Sequence, residues 1–174
     1  MSDSMNPAPR KKFAPYPWTW LGVSALVIVL DWITKQRVSE ALELYRPQEV
    51  LSWLNITLAH NYGAAFSFLS DAGGWQRWLL TAISLGMSIF IIIWITKLPK
   101  KQMLLRIALA LILGGAVGNL YDRAMVGYVV DFISLYFMEY RFATFNIADA
   151  AISVGAAMIV LETILDYRRS PAVE

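Results

Sequence analysis

Few residues of this chain could carry hydrolytic chemistry. It has no cysteine and a single histidine, His60, so a thiolate nucleophile, a disulfide framework, a cysteine-ligated metal and a helical His pair are all excluded. Acid–base work must fall to carboxylates, serine or lysine. Two aspartates are conspicuous by their surroundings: Asp131 in Tyr128-Val129-Val130-Asp131-Phe132, and Asp149 in Phe145-Asn146-Ile147-Ala148-Asp149, with 17 residues between them. Asp131 lies among Val, Phe and Ile, where a carboxyl group is expected to hold its proton to a higher pH than usual. Asp149 also has a plainer explanation, because Asn146 is a plausible N-cap and an acid three residues later favours the helix dipole. If the two carboxyls approach closely, like-charge repulsion makes them share one proton. The ionised member can then take a proton from water attacking a peptide carbonyl, while the protonated member donates to the carbonyl oxygen. That chemistry needs no cysteine, histidine, metal or cofactor. A Ser67–Lys35 dyad is the rival hydrolytic arrangement, and nothing in the spacing supports it.

Other polar residues stand where charge is costly. Asp31 and Lys35 are four apart, which puts them on one helical face as a mutually neutralising pair. Gly114 and Gly118 form a small-x-x-x-small face that admits a close helix neighbour. Asn119 follows directly, and Arg123 shares its face one turn later, so the two could orient a carboxylate or a substrate carbonyl.

The elements that must position these groups are membrane helices. The chain is 57% hydrophobic and only 16% charged, against about 25% charged in soluble domains. Trp78 to Thr96 runs without a charge, close to the roughly 20 residues needed to cross a bilayer. Trp18 to Thr34, Met103 to Tyr121 and Ala148 to Leu165 are expected as three further spans, with Arg106 near the start of the third reaching the interface along its stem. Arg10, Lys11 and Lys12, then Lys97, Lys100, Lys101 and Arg106, then Arg168 and Arg169 predict that both termini and the connection between helices two and three are cytoplasmic. Asp131 and Asp149 then fall at the outer face. Between helices one and two, Glu49 to His60 reads as one or two short strands on the outer surface. The expected fold class is an all-α membrane protein of four transmembrane helices with a small extracytoplasmic β-element in the first outer loop. Residues 1–17 are expected as a flexible cytoplasmic tail, 18–167 as the membrane domain and 168–174 as a cytoplasmic C-terminal tail. With 15 Lys and Arg against 13 Asp and Glu, the charge gives no reason to expect nucleic acid as a partner.

Five blocks in order carry a family resemblance: Asp31-x-x-x-Lys35, Asn61-Tyr62-Gly63-Ala64-Ala65-Phe66-Ser67, Gly115-x-x-Gly118-Asn119-Leu120-Tyr121-Asp122-Arg123, Val130-Asp131-Phe132 and Phe145-Asn146-x-Ala148-Asp149. Together, over roughly residues 20 to 165, they resemble lipoprotein signal peptidase, the bacterial signal peptidase II. The resemblance implies an aspartic endopeptidase of the inner membrane. It would cut a prolipoprotein just before a cysteine that already carries diacylglyceryl, with the lipid tails remaining among membrane lipids, and it would be inhibited by the cyclic peptide globomycin. By the same resemblance Asp131 and Asp149 are the catalytic dyad, and Asn61, Asn119, Arg123 and Asn146 are the polar shell that positions substrate and dyad. Asp31 and Lys35 are supporting residues. Tyr136 to Arg141, amphipathic and aromatic, would form a movable lid, and the first outer loop a small sheet that cradles substrate. Two competing classes use the same acids or glycines: a small proton- or ion-coupled carrier working through Asp131 and Asp149, and a scaffold assembled through the Gly114-x-x-x-Gly118 face. A carrier places its acids near mid-membrane on broken helices, whereas these lie at helix ends.

Overall fold

A computed structural model describes residues 20–63, 73–99, 101–137 and 140–169, with the side chains of Arg141 and Arg169 outside that set. Four helices and one antiparallel sheet alternate along the chain: α1 (Leu21–Ala41), β1 (Gln48–Leu51), β2 (Leu54–Asn61), α2 (Trp75–Lys97), α3 (Met103–Met125), β3 (Val129–Phe137), β4 (Tyr140–Phe145) and α4 (Ile147–Arg169). Among the described residues, α2, α3 and α4 are long and apolar enough to cross a membrane. Residues 1–17, Trp18, Ser67 and residues 170–174 lie outside the described residues, and Arg168 and Arg169, expected to open the C-terminal tail, belong to α4.

The strands expected between helices one and two are present as β1 and β2, but they are half of a larger sheet with strand order β1-β2-β3-β4. The expectation of a β-element confined to the first loop is therefore corrected, since the connection between α3 and α4 supplies β3 and β4. Val129 to Phe137 is rich in β-branched and aromatic residues, a composition that suits a pleated, half-buried surface. Register places Ala59 opposite Asp131 and Asn61 opposite Val129. The segment expected as a lid is the tip of the β3–β4 hairpin, where Tyr136 pairs with Arg141 and Phe137 with Tyr140.

α3 is the central helix and packs against α1, α2 and α4. Ile91 and Ile95 of α2 meet Leu109 and Leu113 of α3 in a buried cluster bordered by Leu21 and Ile159. Most other large apolar side chains of α1, α2 and α4 point outward, Leu26, Ile83, Phe90 and Val160 among them. An apolar exterior around a small-residue interior is what a hydrocarbon solvent selects, because apolar burial drives no association there and close packing does. Backbones approach through glycine. A Cβ built on Gly114 would lie 2.7 Å from Val27 Cβ, and one on Gly155 would lie 2.6 Å from the carbonyl oxygen of Ala108. Ser24 Oγ reinforces the first crossing by donating to the Ala110 carbonyl at 2.7 Å.

One boundary and one side chain differ from expectation for electrostatic reasons. Helix α1 continues to Ala41 rather than ending near Thr34, because its internal charges Asp31 and Lys35 are both buried and paired. Arg106 does not reach outward. It is buried and donates to the carbonyl of Leu98 at the end of α2, where helix carbonyls lack partners and the dipole favours a cation.

The packing account predicts opposite outcomes for two glycines. Gly155→Ala should lower stability by about 1–3 kcal/mol through overpacking. Gly86, in α2 with open space around it, should tolerate alanine and gain about 0.5–1 kcal/mol of helix stability. Thermal unfolding of both variants in detergent checks this, and equal effects would contradict it.

Candidate functional site

The site forms where the C-terminal ends of α1 and α3 and the N-terminal end of α4 meet β2 and β3, and its scaffold is a set of short polar contacts among buried residues. Asn146 lies at its centre, completely buried between β4 and α4. Its side-chain oxygen accepts from the Asp149 N–H at 2.9 Å, and its own backbone N–H donates to Asp149 Oδ2 at 3.3 Å. This is a reciprocal capping box, with Asp in the position usually held by Glu. The Asn146 amide nitrogen faces the opposite way. It donates to Asp131 Oδ1 at 2.8 Å and lies 3.2 Å from both the Val130 carbonyl and Asn119 Oδ1. One residue thus touches both aspartates, by side chain on one side and by backbone on the other.

Asp131 is buried on β3 and its second oxygen accepts from Asn61 Nδ2 at 3.0 Å. Burial, and then the neighbouring charge of Asp149, push its carboxyl up to about 7, against the smaller opposing pull of Asn61, Asn146 and Lys35. Asp149 is more accessible, and its Oδ1 accepts from Asn119 Nδ2 at 2.7 Å. Arg123 donates to the Gly63 carbonyl at 2.9 Å, tying α3 to the loop after β2, and its guanidinium feels the charges of Asp149, Asp131 and Asp122. Its backbone is held in turn by Arg77, which donates to the carbonyls of Arg123 and Ala124 at 2.8 Å each and closes the end of α3.

Beneath the aspartates lies a second buried layer. Lys35 Nζ is 2.6 Å from Asp31 Oδ2, 2.8 Å from Asp122 Oδ2 and 3.1 Å from Asn119 Oδ1, so its three N–H groups each have an acceptor. Asp31 Oδ1 accepts from the Ala148 N–H at 2.9 Å, and Asp122 Oδ2 from the Val130 N–H at 3.2 Å.

All eight residues singled out in the sequence as site candidates, Asp31, Lys35, Asn61, Asn119, Arg123, Asp131, Asn146 and Asp149, fall in this one assembly. Asp122 and two backbone donors were not among the residues singled out. Asp122 stands three residues after Asn119 and one before Arg123, a spacing that could have revealed it as a member of the same polar end of α3. The backbone N–H groups of Val130 and Ala148 leave no trace in residue type at all.

Chemically, the arrangement offers two carboxyls held by a common neighbour and facing both Arg123 and the loop at Gly63. One is buried enough to stay protonated near neutrality, and the other is exposed enough to meet water. Comparison with known proteins agrees on the type. The sequence profile described as signal peptidase (SPase) II matches residues 23–165. The lipoprotein signal peptidase of Teredinibacter turnerae is 53% identical over 145 residues, covering 83% of this chain and 86% of its own. That of Acinetobacter baumannii is 50% identical over 160 residues, covering 92% and 91%. A solved structure described as a bacterial membrane enzyme superposes with a TM-score of 0.80 at 29% identity, covering 90% of this chain and 93% of its own. With its profile matched almost from end to end and its fold shared with a bacterial membrane enzyme, the chain belongs to the signal peptidase II family of peptidases.

Proposed function

We propose that the chain is an aspartic endopeptidase of the bacterial inner membrane that removes the signal peptide from diacylglyceryl-modified prolipoproteins, cutting before the lipidated cysteine. Asp131 and Asp149 are its catalytic dyad. The observation that carries this reading is Asn146, whose amide donates to Asp131 while its backbone N–H donates to Asp149, holding the pair side by side. In this reading all four helices span the bilayer with both termini cytoplasmic, and the sheet and dyad lie at the outer face. Helix α1 tolerates its internal charges because Lys35 is matched by two carboxylates. The lipid tails of the substrate stay in the membrane, and the β3–β4 tip with Tyr136, Phe137 and Tyr140 covers the bound peptide.

The raised proton affinity of Asp131 makes it the acid of the resting pair. Water adds to the scissile carbonyl carbon and gives a proton to ionised Asp149, while Asp131 gives its proton to the carbonyl oxygen. The tetrahedral diol then collapses. Its C–N bond breaks as Asp149 passes its proton to the departing amine, and a hydroxyl proton returns to Asp131, which restores the starting state. Arg123 and Asn119 supply donors close to the charge that develops on the oxygen.

The carrier reading lacks support from the relatives, which are peptidases by name. Asp131→Asn and Asp149→Asn should each reduce processing of a diacylglyceryl-modified prolipoprotein by about 10³-fold or more, since each removes a proton-transfer partner. Normal cleavage by either variant rejects the dyad. A pH profile tests the division of labour. Activity should fall as Asp131 ionises through about 7. Asn61→Leu, which removes a donor to the ionised form, should move that alkaline limb upward, so a limb that stays or moves down contradicts the assignment. Globomycin should raise the unfolding temperature of the detergent-solubilised protein, an effect that neither a carrier nor a scaffold predicts.

A further inference from the structure

The buried layer beneath the aspartates has a branching pattern that the dyad alone does not explain. Each of the three acceptors around Lys35 Nζ continues to a group next to, or bonded to, one of the two aspartates. Asp31 accepts Lys35 on one oxygen and the Ala148 N–H on the other, fixing the backbone just before Asp149. Asp122 accepts Lys35 and the Val130 N–H on the same oxygen, fixing the backbone just before Asp131. Asn119 accepts Lys35 on Oδ1, which turns its Nδ2 toward Asp149. An amide can present either end, and a cation against Oδ1 leaves the donor end no other direction.

We propose that Lys35 is the positioning residue that sets both aspartates at once, and that Asp122, outside the expected set of site residues, is its relay to Asp131. The inference rests on the dyad reading and gives a role to charges that would otherwise only weaken the membrane helix carrying them. Lys35 acts through geometry by holding Asn119, Ala148 and Val130. It also acts through charge. The charged groups that face the dyad are Asp31 and Lys35 from α1 and Asp122 and Arg123 from α3, while His60 of β2 pairs in register with Val130 and stacks on Tyr128. With one proton shared by the dyad, Lys35 and Arg123 face three negative charges, so loss of either sign must shift the pH at which Asp131 loses its proton.

The two components separate in a set of variants. Asp122→Asn keeps an oxygen that can accept from both Lys35 and Val130 but removes one negative charge. It should move the alkaline limb of the kcat profile, the one set by Asp131, to lower pH and leave KM within about threefold. Lys35→Met removes the node. Its kcat should fall about 10²-fold through misplacement of the dyad, with KM again nearly unchanged and the alkaline limb at higher pH, because Lys35 helps to hold Asp131 ionised. In Lys35→Met/Asp122→Asn the net charge returns to its original value, so the alkaline limb should return while kcat stays low. Thermal unfolding in detergent reports which variants are folded. If Lys35→Met does not fold, the Asp122→Asn profile decides alone. An Asp122→Asn profile that coincides with the parent, or a folded Lys35→Met enzyme with kcat within twofold, overturns the inference. Asp131→Asn and Asp149→Asn in the same assay keep the two questions apart. Their normal cleavage rejects the dyad itself, whereas their inactivity beside an unaltered Asp122→Asn profile rejects only the role of Lys35.

Discussion

The rest of the site is built around one ammonium group placed where an ammonium group is expensive. Lys35 is 2% exposed and Asp31 is 1% exposed, so neither draws on solvent for its charge. An unpaired cation at that depth would cost several kcal/mol, and a single carboxylate partner would leave two of its three N–H groups unsatisfied. The structure meets the demand with three acceptors from two helices, Asp31 on α1 and Asp122 and Asn119 on α3. Because removing one partner of such a group leaves a buried charge uncompensated, the three are bound to stand or fall together. Helices α1 and α3 are thereby locked in axial position, and everything on the C-terminal end of α3 inherits that position.

Close packing is the condition for this arrangement. Asp31 can reach the Ala148 N–H only because Gly118 lies between them without a side chain, and a Cβ there would sit 2.7 Å from Asp31 Oδ2. Gly115, one turn earlier, admits the Ala148 carbonyl in the same way. The small-residue stripe of α3 is therefore more than a dimer-like packing seam. It brings the start of α4 within hydrogen-bond reach of a charge on α1, with α3 serving as the spacer. The scaffold role and the site role of the glycines are the same fact seen at two depths.

How much of this could be read in the sequence depended on whether the signal was carried by side chains. The apolar runs of α2, α3 and α4 were legible because a hydrocarbon solvent tolerates little else, and the strands from Glu49 to His60 were legible from their Val, Ile and Trp content. β3 and β4 were not recognised, because the stretch around Asp131 drew notice only for its carboxylate and the stretch from Tyr136 to Arg141 only as a lid. Yet the same β-branched and aromatic composition builds a pleated hairpin. The end of α1 was misplaced because Asp31 and Lys35 look like a helix terminus when their partner Asp122, far along the chain, is unseen. Among the site residues, types and spacing brought out the two aspartates, and family motifs brought out Asn61 and Asn146. The backbone donors at Val130 and Ala148 were invisible, since any residue other than proline carries the same N–H.

Asn146 and Asp149 raise the question of whether a structural explanation competes with a functional one. The capping box is real and would be sufficient for a helix start in any soluble protein. What it fails to use is the amide nitrogen of Asn146, which has no part in capping and instead meets Asp131 and the Val130 carbonyl of β3. A serine or threonine would cap as well but could not reach both sides, because a hydroxyl has one proton to donate. Asparagine is the short side chain that accepts from its own helix and donates two protons elsewhere. The cap therefore fixes Asp149 relative to α4, and the spare donors fix Asp131 relative to the cap. A helix terminus, ordinarily a local solution to unsatisfied backbone groups, here becomes the reference point from which two carboxyls on different elements are held in one geometry.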